Sequence, residues 1–263
     1  MTTINSIHGA SHAPLPTVRR IDGGDLRWAL TEGWRDFRAK RGDLIFAGLI
    51  YTAIGIAAAM LALDDRLLPL VFPLGAGLSI LGPVVAAGFY ELARRRELGI
   101  DAGWGHFLDP LNGRNPAGLV MLALGLIVLF LAWLAAAWGL YHGTLGRLHP
   151  VGIRAFLAAL FGTGEGWTMI VVGNLVGLGF AAATLVLTVV AAPMLVDQPV
   201  DALTAVESSL KAARANPGAI ARWGLWVAVL LVLGAIPAFI GLAVVLPVLG
   251  YATWHLYTRL IER

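Results

Sequence analysis

An all-helical polytopic membrane protein with six transmembrane helices is predicted by three features of this chain: long charge-free apolar runs, short polar segments between them, and basic residues crowded into every second polar segment. A bilayer core about 30 Å thick needs roughly 20 apolar residues per helical crossing. Residues 44–63 and 67–90 form the first two runs, 115–146 and 166–196 the next two. The last run, 223–258, is uncharged when His255 is neutral, and as one helix its 36 residues would extend about 54 Å. It must therefore fold back, and Gly234-Ala235-Ile236-Pro237 is the turn-like stretch near its middle.

Composition points the same way. Apolar residues make up 58% of the chain and charged ones 13%, against about 45–50% and 25% in soluble domains. A soluble core has no need of five uncharged stretches this long. Orientation follows from the basic residues, because cytosolic loops collect Lys and Arg. Of the 19 such residues, all but Arg66, Arg147 and Arg154 fall before span one, after spans two and four, or at the end of the chain. Both termini are thus expected in the cytosol, which requires an even number of spans. The net charge of +3 is this orientation signal and no sign of nucleic-acid binding.

Residues 1–21 lack an apolar run behind a charged start and are expected to be a flexible cytosolic tail rather than a cleaved signal. Residues 22–263 are expected to form a single membrane domain. With no cysteine in the chain, disulfides, thiolate metal sites and cysteine nucleophiles are excluded.

Within that domain three units are expected, at about 22–100, 101–200 and 201–263, each an interfacial helix followed by a transmembrane hairpin. An aspartate opens each interfacial segment as an N-cap. Asp25 precedes Leu26, Leu30, Trp34 and Phe37; Asp101 precedes Trp104, Phe107, Leu108 and Leu111; Asp201 precedes Leu203, Val206, Leu210 and Ala213. Asn115-Pro116 and Asn216-Pro217 close the second and third segments. The returning spans also echo one another: the stretch from Leu81 through Pro83 to Arg95 aligns without gaps on that from Val245 through Pro247 to Arg259, and Pro193 occupies the matching place in span four. A further interfacial helix is expected over 150–161, on the outer side.

Chemistry is sparse. No ionisable side chain falls in mid-membrane, where a stranded charge would mark an ion or proton path. Glu91 lies three and four residues before Arg94 and Arg95, the spacing of a helical ion pair, and His255 holds the equivalent place in span six. His142 and His255 sit at opposite membrane faces and cannot share a haem. His8, His12, His106 and His149 lack the neighbours a metal needs. No catalytic, cofactor-binding or metal-binding residue is assigned, and no cofactor is expected. The strongest polar feature inside a span is Gly173-Asn174-Leu175-Val176-Gly177, in which glycines four apart permit close helix contact and the asparagine amide seeks a partner across the interface. Glycines and Pro83 make span two the most breakable helix, while Tyr51 and Thr184 are further candidates for packing or for lining a cavity.

Pro83 to Arg96, Gly173-Asn174, Asn216-Pro217 and the ending Pro247 to Tyr257 together resemble the bacterial integral membrane proteins of the domain of unknown function 2189 family, over about residues 17–260. The resemblance implies a bacterial inner-membrane location and no particular activity. Some family members carry a cytochrome c oxidase subunit label, which the missing intramembrane histidines do not support here. The leading expectation is a non-catalytic structural or accessory protein whose partners are the lipid bilayer and other membrane proteins or a second copy. The alternative is a carrier for a neutral or lipid-like small molecule.

Overall fold

The computed structural model describes residues 16–39, 55, 73–75, 77, 79–150, 152–237 and 240–263. Regular structure among them is helical apart from one isolated β-bridge. The helices are α1 Gly23–Ala39, α2 Gly82–Val85, α3 Ala87–Glu97, α4 Pro116–Gly143, α5 Gly152–Gly162, α6 Gly164–Thr188, α7 Ala191–Asp197, α8 Ala202–Ala215, α9 Pro217–Ala235 and α10 Leu242–Leu260.

Four stretches of the described residues are long and apolar enough to cross a membrane: Pro73–Glu97, Pro116–Gly143, Gly164–Asp197 and Pro217–Ala235. The expected first span, 44–63, lies outside the described residues except for Gly55, and the expected start of the second lies outside them too. The expected sixth span is α10, which is not one of the four: Trp254, His255, Tyr257, Thr258 and Arg259 make its second half too polar. The expected turn at 234–237 separates α9 from α10, and its glycines allow the return. A Cβ on Gly241 would stand 2.9 Å from the Gly234 Cα.

The bridge joins the two ends of the described chain. Val18 pairs antiparallel with Ile261, the Arg19 N–H donates to the Leu260 carbonyl, and the Glu262 N–H donates to that of Thr17. Asn216, at the start of α9, locks this arrangement by accepting from the Ile21 N–H at 2.9 Å and donating to the Arg19 carbonyl at 2.9 Å. One end of the bundle thus carries both ends of the described chain, α1, α8 and the junctions near Glu97, Asn115, Asp197 and Asn216. The other end carries the turn Leu145–Leu148, α5 and the α9–α10 turn.

Proline decides where the returning helices break. Its ring cannot accept the carbonyl four residues back and it offers no N–H. Span two accordingly runs through a 3-10 turn, Ser79–Leu81, into α2 with Pro83 in its first turn, and then into α3. Span four breaks at Val189 and Val190, just before Pro193. The gap there is filled by a side chain from another helix: the Ser209 hydroxyl on α8 accepts from the Val190 N–H at 3.2 Å and donates to the Val186 carbonyl at 2.8 Å. It stands in the place of the direct bond between those two groups. Pro247, by contrast, lies inside the unbroken α10, near enough to its start that only the first turn is affected.

The helix segments that follow these prolines form the core. Buried side chains of α3 (Phe89, Tyr90, Leu92), α7 (Met194, Leu195) and α10 (Tyr251, Trp254, Tyr257) share one apolar cluster with Leu26 of α1 and Trp223 of α9. Phe89 meets Tyr251 edge to face at 5.4 Å. Trp223 and Trp254 are fully buried in this cluster.

The interfacial segments differ from expectation in a common way. In α1 the buried positions are Leu26, Ala29, Gly33 and Asp36, whereas Trp34 is 45% exposed. In α8 they are Ala205, Ser208, Ser209, Ala212 and Ala213, whereas Leu203 is 63% exposed. Small residues stand where the partner helix comes closest, while the expected Leu26 and Ala213 are buried and Leu30, Phe37 and Val206 pack against the core. A Cβ on Gly33 would meet the Ala252 backbone N at 2.7 Å. The cap of α1 is Asp22 rather than Asp25, which instead returns a bond to the Asp22 N–H at 3.1 Å. Asp201 caps α8 as expected, accepting from the Thr204 N–H at 2.9 Å. The second segment is no continuous helix: Gly103, Gly105 and Pro110 reduce it to two 3-10 turns, Trp104–His106 and Asp109–Leu111. The three units therefore do not share one interfacial element. The expected outer helix over 150–161 is α5, with Ile153, Leu157 and Phe161 exposed.

Candidate functional site

The polar chemistry of the described residues gathers around α3. Glu91 is buried, and its carboxylate accepts from Arg94 twice, Nε at 2.8 Å and Nη2 at 2.7 Å, and from Arg95 Nε at 2.8 Å. This is the ion pair that the three- and four-residue spacing implies. Arg95 carries the chain of contacts outward, to Asp109 at 2.7 Å and to the Asp101 carbonyl at 2.9 Å. His106 Nδ1 lies 2.8 Å from the same Asp109 carboxylate.

Arg96 is five residues from Glu91, on the other side of the helix. There it meets Asp36 of α1, at 3.1 Å, and Asp36 in turn lies 2.8 Å from His255 Nε2 on α10. His255 packs edge to face on Trp28 at 5.5 Å, and the Arg259 guanidinium sits 4.0 Å from the Trp28 ring centroid. Glu97 accepts from the Trp254 indole at 3.0 Å and pairs with Arg263. Tyr257 donates to Asp197 at 2.9 Å.

Two clefts open beside these networks. One, of about 240 Å³, lies between α3, the loop 109–115 and α7; Glu91, Arg94, Arg95, Asp109 and Arg114 line it. The second, of about 280 Å³, lies between α1, α3 and α10; Asp36, Arg96, Glu97 and His255 line it. Glu91 and His106 thus belong to one network and His255 to the other. The pairing of Glu91 with His255 that their matching positions suggest does not form, because α3 stands between them. At the capping positions the electrostatics are local. The hydroxyl and N–H of Thr204 hold the Asp201 carboxyl below its ordinary value, and the N–H groups of Asp25 and Gly24 do the same for Asp22.

The remaining sequence-derived positions are packing elements or face outward. Gly173 and Gly177 of α6 face α4: a Cβ would stand 3.3 Å from Leu140 in the first case and 3.3 Å from Trp133 in the second. Asn174 does not bond across an interface. Its amide donates to the Ile170 carbonyl of its own helix at 2.7 Å, and the residue is exposed. Thr184 is buried and donates to the Phe180 carbonyl at 2.9 Å. Tyr51 lies outside the described residues. Pro83, Pro193 and Pro247 shape the returning helices, as above. Sequence reading missed Asp36, whose partners are 60 and 219 residues away. One signal was legible: an aspartate continuing the Leu26, Ala29, Gly33 stripe of an amphipathic helix.

Four long apolar helices and a polar network confined to one end define an integral membrane protein with several apolar helices. Residues 71–197 match the family model described as "Predicted integral membrane protein (DUF2189)", just under half of the chain. That stretch covers span two through α7 and leaves outside it Asn216-Pro217 and the ending Pro247 to Tyr257. No curated protein and no solved structure matches the chain.

Proposed function

We propose that this is a non-catalytic, six-span protein of the bacterial inner membrane, with both termini cytosolic, that acts as a structural or accessory partner of other membrane proteins. The observation that carries this reading is the outward face of α4. Only 22% of its apolar window is buried, and Gly125, Ala132, Gly139 and Gly143 lie on the exposed part, with no atom of the described residues within 4 Å of where the glycine Cβ atoms would be. Lipid covers large side chains as well as small ones. A row of small residues at intervals of seven, seven and four instead suits the close approach of another helix.

Six spans are supported by the paths of the described helices. The paired ends at Val18 and Ile261 call for an even number of crossings. The Trp133 indole donates to the Pro73 carbonyl at 2.7 Å, and Trp133 lies 17 residues, about 26 Å of helix, beyond Pro116. Pro73 therefore stands at that depth from the end carrying Pro116, and α10 returns from the far turn to the bridge. The small-residue packing of α1 and α8, which turns Trp34 and Leu203 outward, suits helices lying in a lipid interface. The carrier alternative is not favoured, since the Asn174 amide and the Thr184 hydroxyl each donate to a carbonyl of their own helix.

Because the chain lacks cysteine, single-cysteine variants test the partner face directly. Ala132→Cys in native membranes should give one discrete crosslinked product, to a second copy or to a partner. Leu178→Cys, on the exposed face of α6, should give none. Equal or absent crosslinking at both positions would mean that lipid alone covers α4. Reporter fusions at Gly146 and Pro237 should register the outer side, and fusions at Lys211 and Arg263 the cytosol; a cytosolic Gly146 reverses the topology.

A further inference from the structure

We infer that the cleft between α3, the loop 109–115 and α7 binds a phosphate group at the level where the helices enter the membrane. Three guanidiniums, Arg94, Arg95 and Arg114, face it against two carboxylates, Glu91 and Asp109, leaving one positive charge in surplus. Its base is built rather than incidental: Arg94 is a charged side chain buried to 8% exposure, held flat by its two bonds to Glu91. Those bonds use Nε and Nη2, and Nη1 carries no hydrogen bond among the described residues. Arg114, on the exposed rim, uses only Nη1, for the Asp197 carbonyl at 3.0 Å. Its fork keeps two nitrogens for a ligand, and a guanidinium fork matches phosphate oxygens in pairs.

The surroundings add to this. Asn115, in the wall, caps α4, a 28-residue helix whose positive end therefore faces the same cleft. At about 240 Å³ the space is below the range of drug-sized ligand pockets and fits a phosphate with a few attached atoms. It lies at the junction of three apolar spans, the position at which basic pockets take anionic lipid headgroups. Val120, Met121 and Leu124 are exposed on α4 within three turns of Asn115 and offer apolar surface to an acyl chain. Both a headgroup phosphate and free phosphate satisfy the cleft chemically, and their affinities separate the two sources.

The protein purified in micelles of a phosphate-free non-ionic detergent is titrated with phosphatidylglycerol and, separately, with inorganic phosphate; native mass spectrometry reads the lipid arm and thermal shift the phosphate arm. Wild-type protein should retain one phosphatidylglycerol. Arg114→Gln should weaken that retention about tenfold through loss of a charged donor, and Asn112→Asp should weaken it by adding a negative charge at the rim. Arg147→Gln, at the opposite end of the bundle, should change nothing. A lipid effect without a phosphate effect assigns the site to a headgroup, and effects in both arms assign it to phosphate from either source. Unchanged retention in both rim variants, or an equal loss in Arg147→Gln, overturns the site. Both rim positions are exposed, so each variant's unfolding midpoint should match wild type.

Discussion

The two ends of the bundle are built on different principles. At the end carrying the paired chain ends, helix crosses helix closely, aromatic rings interlock and charged groups are matched one against another across α1, α3, α7 and α10. At the other end α4, α5 and α6 present Trp138, Ile153, Phe161 and Trp167 outward with few partners inside the chain. The first end holds itself together; the second relies on what surrounds it. Substitutions should accordingly be costly at one end and nearly silent at the other.

The sharpest break in that contrast is Glu91→Leu. It strands Arg94, buried and without its carboxylate, and a broken buried pair costs about 3–5 kcal/mol. Thermal unfolding in detergent should show the largest loss of any single variant here. The double variant Glu91→Met/Arg94→Met, which removes both charges while keeping volume, should recover most of it. Glu165→Gln, in the first turn of α6 at the opposite end, should stay within about 0.5 kcal/mol of wild type. Equal losses at Glu91 and Glu165 would erase the distinction between the ends.

Close approach supplies the next contrast. Gly33→Val drives a side chain into the Ala252 backbone and should cost about 1–3 kcal/mol through overpacking. Gly125→Ala, with open space around it, should be neutral or stabilising by up to about 1 kcal/mol, since alanine is the better helix former. Ser209→Ala should fall in the same range as Gly33→Val, about 1–3 kcal/mol, because it leaves the Val186 carbonyl and the Val190 N–H unsatisfied in a buried helix break. Hydrogen exchange should locate the loss of protection at Val190. If exchange there is unchanged, the hydroxyl does not bridge the break.

What was legible in the sequence follows the same division. Local rules worked: the Glu91–Arg94–Arg95 spacing, the break before Pro83, the turn after Gly234 and the helix α5 all depend on residues within a few positions of each other. Long-range closeness was not legible. A periodic apolar pattern names the helix face but not the distance to its neighbour: Leu26, Leu30 and Phe37 do pack against the core, whereas Trp34, in the same pattern, is turned out. Gly33 holds the point of closest approach because Ala252, more than 200 residues away, lies against it. The bond of Asp36 to His255 and the insertion of Ser209 into a break near Pro193 have the same origin: each joins elements whose proximity only the fold decides. In the segment after Asp101 the legible signal was Gly103, Gly105 and Pro110, which the apolar spacing masked: it forms two short turns, while its counterparts after Asp22 and Asp201 are full helices.

The smallest expected effect is the most informative about the surroundings. Asn174 lies exposed on α6 with its amide turned back to the Ile170 carbonyl, so Asn174→Leu removes no contact between helices of the chain. Its unfolding midpoint in detergent should match wild type within about 0.5 kcal/mol. In native membranes the same variant separates two coverings of that face. Against lipid, leucine is the easier residue to bury, and levels should hold or rise. Against another protein helix, an asparagine amide can exchange its own backbone carbonyl for a bond across the interface, worth about 0.6–2 kcal/mol, and crosslinking through Ala132→Cys should then fall when Asn174→Leu is added. A loss of stability in detergent, with the protein monomeric, would mean that Asn174 has a partner within the chain, and would move it from the outward face to the interior.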